Sequence, residues 1–135
     1  MVPVIFINCV SAPFIDLIMN GLKQYETRTK NTMKSLMKWA LGTRILLAET
    51  GNGSPVVRCS AVVDQVIAVY TAEQWEQYRP FTQIEKGDHY DWKPETKVKY
   101  LYHLSDVKPL APFNLPDTAI RHGRVWAEYE ERSGS

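Results

Sequence analysis

The chain has little net charge, few cysteines, no glycine-rich phosphate loop and no long apolar span, and each shortage removes a class of function. Its 16 Lys and Arg against 15 Asp and Glu leave a formal charge of +1 over 135 residues. The global basicity of a non-specific nucleic-acid binder is therefore missing, and any such binding has to come from a local patch. Two cysteines, Cys9 and Cys59, lie far apart in apolar runs, which suits buried reduced thiols in a cytoplasmic protein. His89, His103 and His122 are scattered and neither cysteine has a partner at metal-ligand spacing, so no metal or cofactor is expected. Residues 1–20 are apolar but lack a basic start and are broken by Asn8, Pro13 and Asp16; this argues against a secretion signal, a membrane span or a membrane partner.

What is present supports one core. With 44% hydrophobic residues, residues 1–132 read as a single domain, followed by a disordered Ser-Gly-Ser tail at 133–135. Residues 2–10 carry the apolar, β-branched run of a strand buried on both faces. Ser11 is placed to cap a short helix to Asn20, with Pro13 in its first turn and Gly21 as a left-handed stop. Met33, Leu36, Met37, Ala40 and Leu41 recur at helical spacing and predict a second helix with those residues in the core. Residues 43–49 and 56–70 read as strands, the latter long enough to demand a bend near Asp64 and Gln65. Gly51-Asn52-Gly53-Ser54-Pro55 between them reads as a hairpin turn. Thr71 and Gln74 fit a capping box opening a helix to about Tyr78. Residues 97–107 predict another strand, 108–118 a proline-punctuated connector and 124–130 a last strand. The fold class expected is α+β, a small mixed β-barrel with short flanking helices.

The chemistry concentrates in Gly21-Leu22-Lys23-Gln24-Tyr25-Glu26-Thr27-Arg28. If the run is extended, Gln24, Glu26, Arg28 and Lys30 share one face and Tyr25, Thr27 and Thr29 the other, with Lys23 at the rim. Arg supplies a rigid donor fork, Lys a mobile point charge and Glu an acceptor, a set that suits a planar polar ligand or a phosphate. An exposed ion pair is the plain alternative. Lys34 and Lys38, with Lys30 continuing the spacing, form a basic stripe that opposes its own helix by about 0.2 to 0.5 kcal/mol per pair and would be relieved by a phosphate backbone or by solvent. Residues 79–96 interleave Phe81, Tyr90 and Trp92 with Lys86, His89 and Lys93, a mixture that can stack bases or pin the loop to the body. Arg121-His122-Gly123-Arg124 can add backbone contacts or simply turn the chain.

The Gly-x-Lys-x-x-Glu-x-Arg run after a helix, the strand Arg44–Glu49 and the run Tyr102-His103-Leu104-Ser105-Asp106-Val107 resemble the ASCH domain of the PUA-like superfamily, over roughly residues 3–110. The resemblance implies a pseudo-barrel with a cleft beside the first helix that binds RNA, single-stranded nucleic acid or a modified nucleoside, with Lys23, Glu26 and Arg28 at the polar cleft positions. Members similar to ribonucleases, or to an amidohydrolase that deacetylates acetylcytidine with a Lys, a Thr and a Glu, imply a second role in which Lys23 and Glu26 are catalytic. Here Glu26 stands where that hydrolase has threonine and Gln24 replaces a threonine after the lysine, so the remaining carboxylate would have to be Glu73 or Glu76. The nucleic-acid-binding set expected is Lys23, Tyr25, Glu26, Arg28, Lys30, Lys34, Lys38 and Trp92, with Tyr25 or Trp92 stacking on a base. A protein-interaction module is the third reading, favoured if the domain's own side chains fill the cleft.

Overall fold

The structure, a computed structural model, describes residues 1–130; the tail expected at 133–135 lies outside the described residues. The elements run β1 (Val2–Asn8), α1 (Phe14–Met19), β2 (Tyr25–Arg28), α2 (Lys34–Ala40), β3 (Arg44–Thr50), β4 (Val56–Val69), α3 (Ala72–Thr82), β5 (Lys99–Asn114), β6 (Ile120–His122) and β7 (Trp126–Tyr129). All seven strands join one sheet in the order β2-β5-β4-β3-β1-β7-β6. Only β1 and β3 run parallel; the other pairs are antiparallel.

The α+β class and the mixed sheet agree with the sequence, but the sheet does not close into the expected barrel. β2 and β6 end the order without pairing to each other. The reason lies in β2, which is four residues long and pairs only with Tyr100–His103 of β5. Its other edge meets β1 through a side chain: Arg28 Nη2 donates to the Phe6 carbonyl at 2.8 Å. An open seam between β1 and β2 results.

Burial follows the apolar periodicity. Ile5, Ile7, Ile15, Ile18, Met33, Leu36, Ile45, Leu47, Trp75 and Leu101 are among the side chains of the larger core, and Val4, Phe6, Ala48, Val57, Leu115 and Ala127 form a smaller one across the sheet. Each large apolar side chain fully withdrawn from water contributes about 1.5 to 3 kcal/mol. The bend expected in the long strand is present as a register shift between Val63 and Gln65. Thr71 caps α3 by accepting from Gln74 N at 3.1 Å, which satisfies one of the helix's free amides, and Gln74 Oε1 reaches back to accept from Tyr70 N, just before the cap, at 3.0 Å.

Several expectations fail locally. Ser11 does not cap α1: the helix starts after Pro13 with no side-chain cap. Leu41 is 48% exposed, because α2 ends at Ala40 before the periodic stripe is complete. α3 runs on through Pro80 to Thr82. The proline-rich segment after residue 107 is the second half of β5. It tolerates Pro109 and Pro112 because β2 pairs only with the first half, leaving this stretch an open edge where no donor is required. Residues 120–122 form β6, a strand absent from the sequence reading. Cys9 is only partly buried, whereas Cys59 is buried, both are free thiols, and burial pushes the Cys59 thiol up to about 11.

Candidate functional site

Three main-chain hydrogen bonds carry the motif from α1 into β2. Gly21 adopts φ +84° after Asn20, the conformation that glycine takes without strain. Lys23 N then donates back to Leu17 O at 2.9 Å, Gln24 N donates to Phe81 O at 2.7 Å, and Gln24 O accepts from Leu104 N at 2.8 Å. The turn thus drives the Lys23 side chain inward, where it is 3% exposed. Its ammonium donates to Thr82 O at 2.7 Å and lies 4.7 Å from the centroid of the Phe14 ring.

Lys23, Glu26, Thr27 and Arg28 line one small pocket in the seam, closed by Ile7 and Asn8 of β1 and by Phe14, Ile84 and Tyr90. Thr27, expected on the opposite strand face, borders the same pocket. Because β2 is the edge folded against β1, consecutive residues reach the seam, and Glu26 and Thr27 are both buried. Glu26 Oε1 accepts from the Thr27 amide at 3.0 Å. Burial lowers the pKa of Lys23; Glu26 acts against that shift and Arg28 with it. The pocket measures about 30 Å³, room for a water molecule but not for a base.

Arg28 and Asn8 also line a second, larger chamber at the mouth of the seam, of about 320 Å³. Its other walls are Phe6, Thr50, Gly51, Gly53 and Pro55 from the end of β1 and the β3–β4 hairpin, and Arg121, Gly123 and Arg124 from the β6–β7 hairpin. The two hairpin turns read in the sequence are thus the rim of a cavity. Among the described residues three arginines line it and no Asp or Glu does. Arg28 Nε is buried without a hydrogen-bond partner, an uncommon condition for a strong donor.

The remaining candidates disperse. Tyr25 faces away from the seam, edge-on to Tyr78 with centroids 5.5 Å apart and tilted against His103 at 4.9 Å. Lys30 lines a separate cavity with His89, Lys93 and Lys97. Lys34 and Lys38 stand exposed on α2, and Lys30 lies before that helix rather than on it. Trp92 is half-buried against the core. It belongs to a loop pinned by Asp91, whose carboxylate accepts from Trp75 Nε1 at 2.6 Å, Gly87 N at 2.8 Å and Trp92 N at 2.8 Å. Tyr90, from the same loop, is the aromatic that reaches the pocket, packing edge-on to Phe14 at 6.1 Å. Glu73 and Glu76 are exposed and line neither chamber; Glu76 pairs with Arg79 at 2.9 Å. Sequence reading missed Asn8, Thr27 and Tyr90 as lining residues, and treated Arg121 and Arg124 as no more than turn or backbone contacts. The only local signal was a pair of arginines flanking Gly123 in a turn.

Among the described residues no group of three or more His, Cys, Asp or Glu is placed to hold a metal, and no helix is long and apolar enough to cross a membrane. No family model and no curated protein sequence matches the chain. Solved structures do. An ASCH protein from Zymomonas mobilis superposes with a TM-score of 0.65 at 23% identity over 84% of this chain and 73% of that one. Two point mutants of the same protein give 0.66 and 0.65 at the same identity. The chain therefore has the ASCH fold, as its motif and strands imply.

Proposed function

We propose that the protein binds single-stranded RNA or a modified nucleotide in the β1–β2 seam. The observation that carries this reading is the open chamber, which is lined by Arg28, Arg121 and Arg124 and shares Asn8 and Arg28 with the pocket of Lys23, Glu26 and Thr27. Its volume falls in the usual range for small-molecule sites, about 300 to 1,000 Å³. The inner pocket is too small to receive a flipped base, so the base occupies the chamber and only an edge or substituent reaches Glu26 and Lys23. The domain's own side chains nearly fill the inner pocket, but the outer chamber is open, and this counts against a pure protein-interaction module. To test the proposal, labelled single-stranded RNA is titrated at several salt concentrations against the wild type and Arg28→Ala. With three phosphate contacts, log affinity falls against log salt with a slope of about −2, and Arg28→Ala weakens binding. Equal affinity for both proteins together with a flat salt dependence sinks it.

A hydrolase acting on acylated nucleosides or RNA is the second reading, favoured by the inner pocket's room for one water beside Lys23 and Glu26. The lysine, bonded to Thr82 O and depressed in pKa by burial, would serve as a donor to an oxyanion, and Glu26 as the base on that water. Incubation with acetylcytidine and with RNA, followed by chromatography, decides it. Product must form and must disappear in Glu26→Gln; no product at high enzyme concentration rejects hydrolysis.

A further inference from the structure

We infer that the outer chamber is a phosphomonoester site, so that the ligand enters with a terminal phosphate, either a nucleoside monophosphate or a phosphorylated RNA end. This rests on the nucleotide reading of the seam and adds that the chamber's arginines hold a terminal phosphate carried by the nucleotide whose base the chamber admits. Arg28 on β2 and Arg121 and Arg124 on the β6–β7 hairpin line one cavity whose lining, among the described residues, includes no acid. In a chain of formal charge +1, such a local excess is uncompensated. Among the described residues Arg121 and Arg124 form no ion pair, while Glu128 of the same hairpin is held by His122 Nε2 at 2.8 Å.

The charge count favours a monoester over a diester. A phosphomonoester carries about −1.5 to −2 at neutral pH and three acceptor oxygens, which three guanidinium forks can share, whereas an internal diester offers one charge and two free oxygens. Arg28, which lines the chamber, adds an independent observation: its Nε is buried with no acceptor among the described residues, although Nη2 is bonded to Phe6 O. An arginine in this state gains a partner when an anion occupies the chamber. The β3–β4 hairpin adds backbone at the rim: Gly51 and Gly53, which line the chamber, adopt φ +104° and +100°, conformations that glycine takes without strain.

The test is calorimetric titration of the full chain with cytidine, cytidine 5′-monophosphate, cytidine 3′-monophosphate and inorganic phosphate. A parallel binding assay uses one RNA sequence with a 5′-hydroxyl or a 5′-phosphate end. The variant is Arg121→Ala/Arg124→Ala, whose residues are exposed and whose folding is checked by circular dichroism. At least one monophosphate should bind tenfold or more tightly than cytidine, and the double variant should abolish that ratio. If the phosphorylated RNA end is the source, the 5′-phosphate oligomer binds more tightly than the 5′-hydroxyl one; if a mononucleotide is, only the small-molecule ratio appears. A ratio near one, or a ratio the double variant leaves intact, overturns the inference. RNA that binds equally with either end, with no preference for monophosphates, overturns the phosphate site and leaves the RNA reading standing. Monophosphates that bind while neither RNA does support the site and remove the RNA reading.

Discussion

Replacing Arg28 by alanine tests whether one side chain both bridges the open seam and lines both chambers. The bond from Nη2 to Phe6 O at 2.8 Å is the link between the unpaired edge of β2 and β1. Its removal leaves a carbonyl of a buried strand without that donor, at a cost of about 1 to 3 kcal/mol. Unfolding entropy near 2.1 cal/mol/K per residue implies about 0.28 kcal/mol/K for a chain of this length, so the melting temperature should fall by about 4 to 10 °C. The same substitution removes a cation shared by the two chambers, and affinity for a phosphorylated nucleotide should fall at least tenfold. Arg28→Lys separates the two effects. A lysine keeps the charge but not the fork, so it should restore part of the affinity while leaving the melting temperature low. Differential scanning calorimetry and titration with cytidine monophosphate measure both. If Arg28→Ala melts with the wild type, the seam is not held by this bond; if its affinity is unchanged, the seam is not the binding site.

Asp91→Ala leaves Trp75 Nε1, inside the core, and the amides of Gly87 and Trp92 without their acceptor. It should cost about 2 to 4 kcal/mol, read by urea denaturation with tryptophan fluorescence, and an unchanged midpoint would show that the loop carrying Tyr90 is held by other contacts. Lys23→Met should abolish ligand binding while remaining folded. Because burial lowers the lysine pKa in the native state, the unfolded chain binds more protons below the ordinary value of 10.5, and wild-type stability gains a contribution that rises with pH toward that value. The difference in stability between wild type and Lys23→Met should therefore grow in favour of the wild type across the alkaline range, and a pH-independent difference refutes the buried ammonium. The hydrogen bond from His103 Nδ1 at 2.7 Å is the main cause that lowers the pKa of Asp64. A carboxyl depressed in the folded state contributes stability above its ordinary value of 3.8 and loses it as the pH falls below that. His103→Gln should accordingly flatten the acid side of the stability curve, and an acid profile identical to wild type would dismiss the pair.

Elements whose signals are local could be read from residue order alone. The apolar run of β1, the glycine stop after α1, the stripe of Met33, Leu36 and Ala40, the Thr71 cap and the bend near Asp64 all depend on contacts within a few residues, and the structure contains each of them. The Lys23 to Arg28 motif was legible for the same reason, since residue types and spacing are local facts. The remaining features are non-local and depend on the folded chain. Whether the sheet closes depends on how β2 meets β1, and a four-residue strand with one satisfied edge leaves a seam instead of a ladder. The acceptor that holds Lys23 once the turn points it inward is a carbonyl in α3, 59 residues away. The convergence of Arg28 with Arg121 and Arg124 joins an edge strand to a hairpin far along the chain. Pairing of distant strands is set by the packing of the whole core and leaves no mark in any short window of sequence, which is why the motif could be singled out as a candidate site while the chamber beside it could not.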